Sequence, residues 1–288
     1  MQMLSKKHNQ GKFVCVGLDS DVDKIPMAAI RKSKGLVGLV SGFNQEIVDA
    51  TKDIVCAYKP NIAFYAANSG WGFYALNRTV EYIRKVAPDV PIIIDGKFND
   101  IGNTVEQYRQ LLYNTLSADA ITVNPYLGAE ALQPFLKDKD KGIIVLCRTS
   151  NKGGGEFQSL RLENRRRLFE HVAYQVANEW NVNGNCAVVV GGTYPEELGI
   201  VRGIIGEDMP ILVPGIGTQG GDLQTAANAG KVIINSSSGI IFASDGDDFA
   251  ACARKKTLEL HNEIAKLRQQ KGQANERHNG YFKRSWGV

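Results

Sequence analysis

Short apolar runs alternate with longer amphipathic stretches along almost the whole chain. The apolar runs fall at 13–18, 54–59, 91–95, 119–123, 142–147, 185–190, 210–214 and 231–236. They are rich in Val and Ile, the composition of strands covered on both faces. Helical patterns lie between them at 36–52, 72–87, 101–117, 128–137, 161–181, 194–205, 219–229 and 246–270. In the fifth of these, Leu162, Leu168, Phe169, Val172, Val176 and Trp180 fall near helical spacing. The triplet Arg165, Arg166 and Arg167 then reads as its solvated face. Eight strand–helix alternations predict a parallel sheet, and eight is the number that closes a barrel. The expected class is α/β, a single-domain (β/α)8 TIM barrel. A doubly wound open sheet is the alternative. No linker divides residues 1–288, and a polar tail from about 268 to 288 would extend the last helix.

Composition narrows the function classes. With 288 residues and 43% hydrophobic content, the chain supports one sizeable core. The net charge of +4 is spread along the sequence with no basic stripe interleaved with aromatics, which argues against nucleic acid. No run of about 18 apolar residues and no signal-like N-terminal segment is visible, so no membrane association is expected. Four of the five cysteines (Cys15, Cys56, Cys147 and Cys186) lie in apolar strand-like runs and read as small hydrophobes. An odd cysteine count without metal spacing points to a reducing cytoplasm. The histidines His8, His171, His261 and His278 read as surface or helix-face residues, since none ends an expected strand. A histidine-based zinc site or a serine–histidine–aspartate triad therefore has almost no support.

The candidate chemistry gathers where the third strand ends. The run Pro91–Ile94 gives way abruptly to Asp95, Gly96, Lys97 and, three residues on, Asp100. Strand alternation turns Asp95 and Lys97 to one side. A solvated strand end with a surface ion pair is the plain reading of such a pair. A second lysine, Lys59, ends the preceding strand, and neighbouring strand ends share one rim of a barrel. Lys59, Asp95, Lys97 and Asp100 would then form one alternating array, each charge neutralising its neighbour.

These residues carry a resemblance. Asp95, Lys97, Asp100, Ile101 and Thr104, with Lys59 one strand earlier, resemble the active site of the orotidine 5'-monophosphate decarboxylase family. The segments Val14–Asp21, Leu146–Asn151 and Pro214–Asp222 resemble the same family in the same order, over residues 13 to 243. The stretch Cys147–Asn151 is similar to the family's longer bacterial subgroup. The resemblance implies cofactor-free decarboxylation of orotidine 5'-monophosphate to uridine 5'-monophosphate in pyrimidine biosynthesis. It implies Lys97 as proton donor, Asp95 beside the departing carboxylate, and Lys59 and Asp100 fixing the array. It also implies a homodimer in which Asp100, Ile101 and Thr104 reach the neighbouring subunit's site.

The remaining strand ends acquire roles by the same resemblance. Asp19 would contact the ribose, though it also suits a turn. Ser150 would meet the pyrimidine, though a loop serine without a role is equally ordinary. Segment 149–158 holds three glycines and reads as a lid over the site or as a plain spacer. Gly217 and Gln219, after the seventh strand, and Gly239, after the eighth, would hold phosphate. Ser238 stands where the family commonly has an arginine, and a hydroxyl cannot replace a guanidinium's charge. Phosphate binding would weaken by about 2–4 kcal/mol unless another basic group compensates. Two other readings remain. One is a magnesium-dependent sugar-phosphate decarboxylase or aldolase of the same superfamily, which Lys59 disfavours because its charge would repel the metal. The other is a non-catalytic phosphate-ligand-binding homologue.

Overall fold

The computed structural model describes the backbone of residues 1–217 and 220–285, and side chains as far as residue 273. Its strands are β1 (Val14–Gly17), β2 (Ala57–Lys59), β3 (Ile93–Phe98), β4 (Ala120–Val123), β5 (Gly142–Arg148), β6 (Cys186–Val190), β7 (Ile211–Val213) and β8 (Val232–Ser236). They form one parallel sheet in the order β2-β1-β8-β7-β6-β5-β4-β3. Two isolated bridges, Tyr58 with Ile92 and Asn61 with Asp95, join the two outer edges. There the Tyr58 N–H donates to the Pro91 carbonyl and the Asp95 N–H to the Pro60 carbonyl, each at 3.0 Å. The sheet is therefore a barrel and not an open doubly wound layer.

Strand alternation sorts the side chains. Cys15, Ala57, Ile93, Ala120, Ile144, Ala187, Leu212 and Ile233 point inward and fill the barrel. Leu4, from an N-terminal helix Gln2–Asn9, joins this interior group. The opposite faces, among them Val14, Val16, Ile92, Ile94, Ile121, Ile143 and Val188, pack under the helices. Cys15, Cys56, Cys147 and Cys186 are buried as expected, and burial pushes the Cys15, Cys147 and Cys186 thiols up to about 12. Such thiols act as packing groups and not as nucleophiles.

The structure corrects three details. The second strand begins at Ala57, because residues 54–56 form the lead-in from the preceding helix. The helix expected from 161 begins only at Leu168. Before it the chain makes a tight turn: the Leu162 N–H donates to the Arg166 carbonyl, and Arg165 adopts φ +64°. Glu170 sets the helix start, accepting from the Arg167 N–H at 3.1 Å and from its Nε at 2.7 Å. The three arginines thus precede the helix and do not form its outer face. His8, finally, is buried, stacked on Phe13 at 5.1 Å between ring centroids. Neither ring nitrogen has a hydrogen-bond partner among the described residues, and burial lowers its pKa to about 4.

Among the described residues no helix is long and apolar enough to cross a membrane. The closing helix runs Phe249–Ser285 and packs through Phe249, Ala253 and Ile264 onto the core, carrying the chain well past residue 268.

Candidate active site

The C-terminal ends of the strands surround a cavity of about 530 Å³. That volume suits a ligand the size of a nucleotide. Lys59, Asp95 and Lys97 line it together with Asp19, Asp21, Lys24 and Thr122. Ser150, Pro214, Gly215, Ile216, Ser237 and Ser238 line other parts of its wall.

Asp95 is the centre of the cluster and is 7% exposed. Lys59 Nζ donates to its Oδ2 at 2.9 Å and Lys97 Nζ to its Oδ1 at 2.9 Å. Lys59 is 3% exposed and also lies 4.0 Å from Asp19 Oδ1. Burial alone would raise the Asp95 carboxyl, but the two ammonium charges outweigh it and hold the group well below the usual carboxylate range. Burial alone would likewise lower Lys59, and Asp95 and Asp19 more than reverse it, so its ammonium is held above the usual lysine range. Asp95 and Lys59 are therefore both ionised at neutral pH. Lys97 differs in one respect: its side chain is 47% exposed, so its ammonium reaches the cavity while bonded to Asp95.

The local backbone is more unusual than simple alternation predicts. β3 and β4 pair at Ile94 with Ile121 and again at Phe98 with Val123. Three residues, Asp95, Gly96 and Lys97, therefore stand opposite Thr122 alone. The chain absorbs the excess by placing Lys97 at φ +52°, a left-handed conformation that costs on the order of 1 kcal/mol or more for a side-chain-bearing residue. Gly96 is required beside it, because a Cβ there would lie 2.2 Å from the Phe98 ring. Asp95 and Lys97 do face one another, but through a bulge rather than through the pleat.

The structure does not bring every expected residue to this cluster. Asp100 forms no ion pair with Lys59 or Lys97; its Oδ1 accepts from the Ile101 N–H at 2.8 Å. The array within one chain is thus Lys59–Asp95–Lys97 with Asp19 behind it, and Asp100 lies outside. Ile101, 63% exposed, and Thr104 sit on the outer surface at the start of helix Gly102–Arg109. Ser150 is on the cavity wall, held close to the end of β6 because Gly191 has no Cβ to meet it at 2.6 Å. Gln158 fastens the segment after β5, accepting from the Thr149 N–H at 2.9 Å. Gly217 and Gly239 are exposed after β7 and β8, and Gly217 takes φ +93°. Ser238 lines the cavity. Gln219 lies outside the described residues. Sequence reasoning missed Thr122 and Lys24. Thr122 sits in an apolar run like any strand threonine, and only the register against β3 singles it out.

Known proteins share much of this sequence and its fold. A family model described as "Orotidine 5'-phosphate decarboxylase / HUMPS family" matches residues 12–251. An orotidine 5'-phosphate decarboxylase of Leptothrix cholodnii is 43% identical over 277 residues, covering 91% of this chain and 95% of that protein. One from Herpetosiphon aurantiacus is 45% identical over 244 residues, covering 84% and 88%. Among solved structures, the OMP decarboxylase of Leishmania donovani superposes with a TM-score of 0.78 at 33% identity, covering 93% of this chain and 97% of that one. The UMP synthase of the same organism gives a TM-score of 0.80 at 34% identity over 92% of this chain, which spans 56% of that longer protein.

Proposed function

The chain belongs to the orotidine 5'-phosphate decarboxylase family, and we propose that it converts orotidine 5'-monophosphate to uridine 5'-monophosphate and carbon dioxide. The reaction would be a cytoplasmic, cofactor-free step of pyrimidine nucleotide synthesis. The observation that carries this reading is the Asp95 carboxylate held between two ammonium groups at 2.9 Å each, at the rim of a nucleotide-sized cavity. Cleavage of the bond between C6 and the carboxylate releases carbon dioxide and leaves the electron pair on C6. The ring offers that pair little delocalisation, so the site must stabilise it electrostatically. Preorganised charges do so without reorganising during the reaction. Lys97 is the half-exposed member of the cluster, and its ammonium would stabilise the carbanion and then protonate C6. Asp95 would hold Lys97 and oppose the substrate carboxylate, while Lys59 keeps Asp95 charged. Asp19 would accept from the ribose, and Ser150 would border the pyrimidine. Binding of the distant phosphate would close segment 149–158 and so lend its energy to the chemistry.

A magnesium-dependent sugar-phosphate reaction is disfavoured by Lys59. Its ammonium stands between Asp95 and Asp19, where a divalent cation would otherwise take those oxygens. Turnover followed by ultraviolet absorbance, with and without chelator, tests the assignment. Undiminished loss of orotidine 5'-monophosphate in chelator is expected. A strict requirement for magnesium would shift the reading to the sugar-phosphate chemistry.

Phosphate would lie against the segments after β7 and β8, at Gly217, Gln219 and Gly239. Ser238 supplies no charge there. Among the described lining residues, Lys24 is the cation not bonded to Asp95; it pairs with Asp21 at 2.8 Å. The loop bearing Lys24 follows β1, and β1 neighbours β8. Lys24 is the compensating group we assign. Ser238→Arg is expected to lower KM by roughly 10-fold or more with kcat little changed, since a hydrogen bond to a charged group is worth about 1.5–3 kcal/mol. An unchanged KM would mean that the phosphate is already fully neutralised.

Asp100, Ile101 and Thr104 would serve the site of a second copy, because Asp100 forms no ion pair within its own chain's cluster and Ile101 is exposed. Mixing inactive Lys97→Ala with inactive Asp100→Asn should then restore about a quarter of wild-type activity, the share of hybrid sites carrying both intact residues in a random mixture. No recovery on mixing, with subunit exchange verified by mass, would confine each site to one chain.

A further inference from the structure

We propose that Thr122 is a positioning residue for the decarboxylation, setting both the backbone at Lys97 and the orientation of Asp95. The proposal rests on the function read above and adds a residue to it. Thr122 is 1% exposed on β4 and uses its whole hydrogen-bonding capacity on the β3 bulge. Its Oγ1 accepts from the Gly96 N–H at 3.1 Å and from the Lys97 N–H at 2.9 Å. Its proton goes to Asp95 Oδ1 at 2.7 Å. One hydroxyl offers two acceptor sites and one donor, so all three are engaged.

This arrangement answers a need created by the register. Between the Ile94–Ile121 and Phe98–Val123 pairs, β4 offers one residue to three of β3. Two consecutive N–H groups, of Gly96 and Lys97, therefore converge on the single β4 residue opposite them, and backbone N–H groups need partners. The Thr122 oxygen lies at that point. The same oxygen marks which way the Asp95 carboxylate is turned, because Oδ1 is shared by Thr122 and Lys97 while Oδ2 takes Lys59. The hydroxyl thus links the left-handed backbone at Lys97 to the carboxylate that holds the Lys97 ammonium. Without it, the Lys97 N–H loses the acceptor it has at 2.9 Å, and the lysine loses its defined approach to the reacting carbon.

The test compares Thr122→Val, Thr122→Ala and Thr122→Ser with the wild type, counting sites by stoichiometric binding of uridine 5'-monophosphate. A misplacement near 1 Å costs on the order of 100-fold in rate. The Val and Ala variants are expected to lose roughly 10- to 100-fold in kcat per binding site with KM within about 3-fold, and Ser to keep kcat within about 3-fold. A merely structural role would instead reduce the number of folded sites and leave kcat per site unchanged. That result, or Val and Ala variants that fail to fold beside a fully active Ser variant, overturns the proposal. Absence of turnover in the wild type would instead overturn the decarboxylase reading itself, so the two failures are distinguishable.

Discussion

Replacing Lys97 by alanine is expected to remove turnover by roughly 10⁴-fold or more while uridine 5'-monophosphate still binds. General acid catalysis contributes about 10²–10⁴-fold and a charge aimed at the transition state a further 10²–10³-fold. Lys97 is placed to supply both, because its ammonium is half exposed to the cavity and bonded to Asp95 at 2.9 Å. Binding should survive because the contacts proposed for phosphate and ribose are made by other residues of the cavity wall. Stability should also survive, changing by about 1 kcal/mol or less, since Asp95 keeps Lys59 and Thr122 and the lost pair is partly solvated. The backbone supplies a control. Position 97 sits at φ +52°, so Lys97→Gly should melt higher than Lys97→Ala, by about 1 kcal/mol, and be equally inactive. Stopped-flow or steady-state decarboxylation beside thermal melts of both variants decides this. Alanine at position 97 with ordinary turnover would end the proposed role of that lysine.

Much of the fold was legible because each strand is an apolar run whose neighbours on both sides are helices. Eight such runs constrain the architecture strongly, and interior positions such as Cys15, Ala57 and Ala120 are small enough to fit the barrel's centre. The limits of legibility have identifiable causes. Helical spacing at Leu162 could not reveal that Glu170 sets the helix start at Leu168, seven residues after the expected 161. A helix-face histidine and a buried one share the same local sequence, and only packing against Phe13 tells them apart.

The candidate site divides in the same way. Lys59, Asp95 and Lys97 were readable because charges at the ends of apolar strands have few inexpensive places to be. Asp100 was drawn into the same array because spacing along the chain ignores where the chain turns after Phe98. Its side chain instead satisfies the next backbone N–H. Thr122 was invisible for the opposite reason. Its importance arises from a register mismatch between two strands, and no single-strand pattern contains that information. The phosphate end is least legible, since a missing arginine says only that charge is absent and not which neighbour supplies it.

Asp95→Asn is expected to lower stability by about 3–5 kcal/mol at neutral pH and to abolish turnover, and its pH dependence should carry the sign of a stranded lysine. Removing one partner of a buried pair leaves the other charge uncompensated. Here that charge is Lys59, 3% exposed, with only Asp19 remaining at 4.0 Å. In the wild type the folded Asp95 carboxyl lies below its unfolded value, so its contribution is present above about pH 4 and is lost as pH falls through the folded value. The folded Lys59 lies above its unfolded value, so its contribution is present below about pH 10 and is lost as pH rises through the folded value. The pair therefore adds a constant stability across neutral pH. In Asp95→Asn, burial dominates Lys59 and its folded value should drop below the unfolded one. The unfolded chain then binds more protons, and stability must rise with pH. In urea melts the stability deficit of the variant relative to the wild type should shrink from pH 6 to pH 9, the contributions of other groups such as His8 being common to both proteins. A variant as stable as the wild type at both values would mean that Asp19 alone neutralises Lys59. The loss of turnover would then belong to Asp95's action on Lys97 and the substrate carboxylate, and not to collapse of the charge cluster.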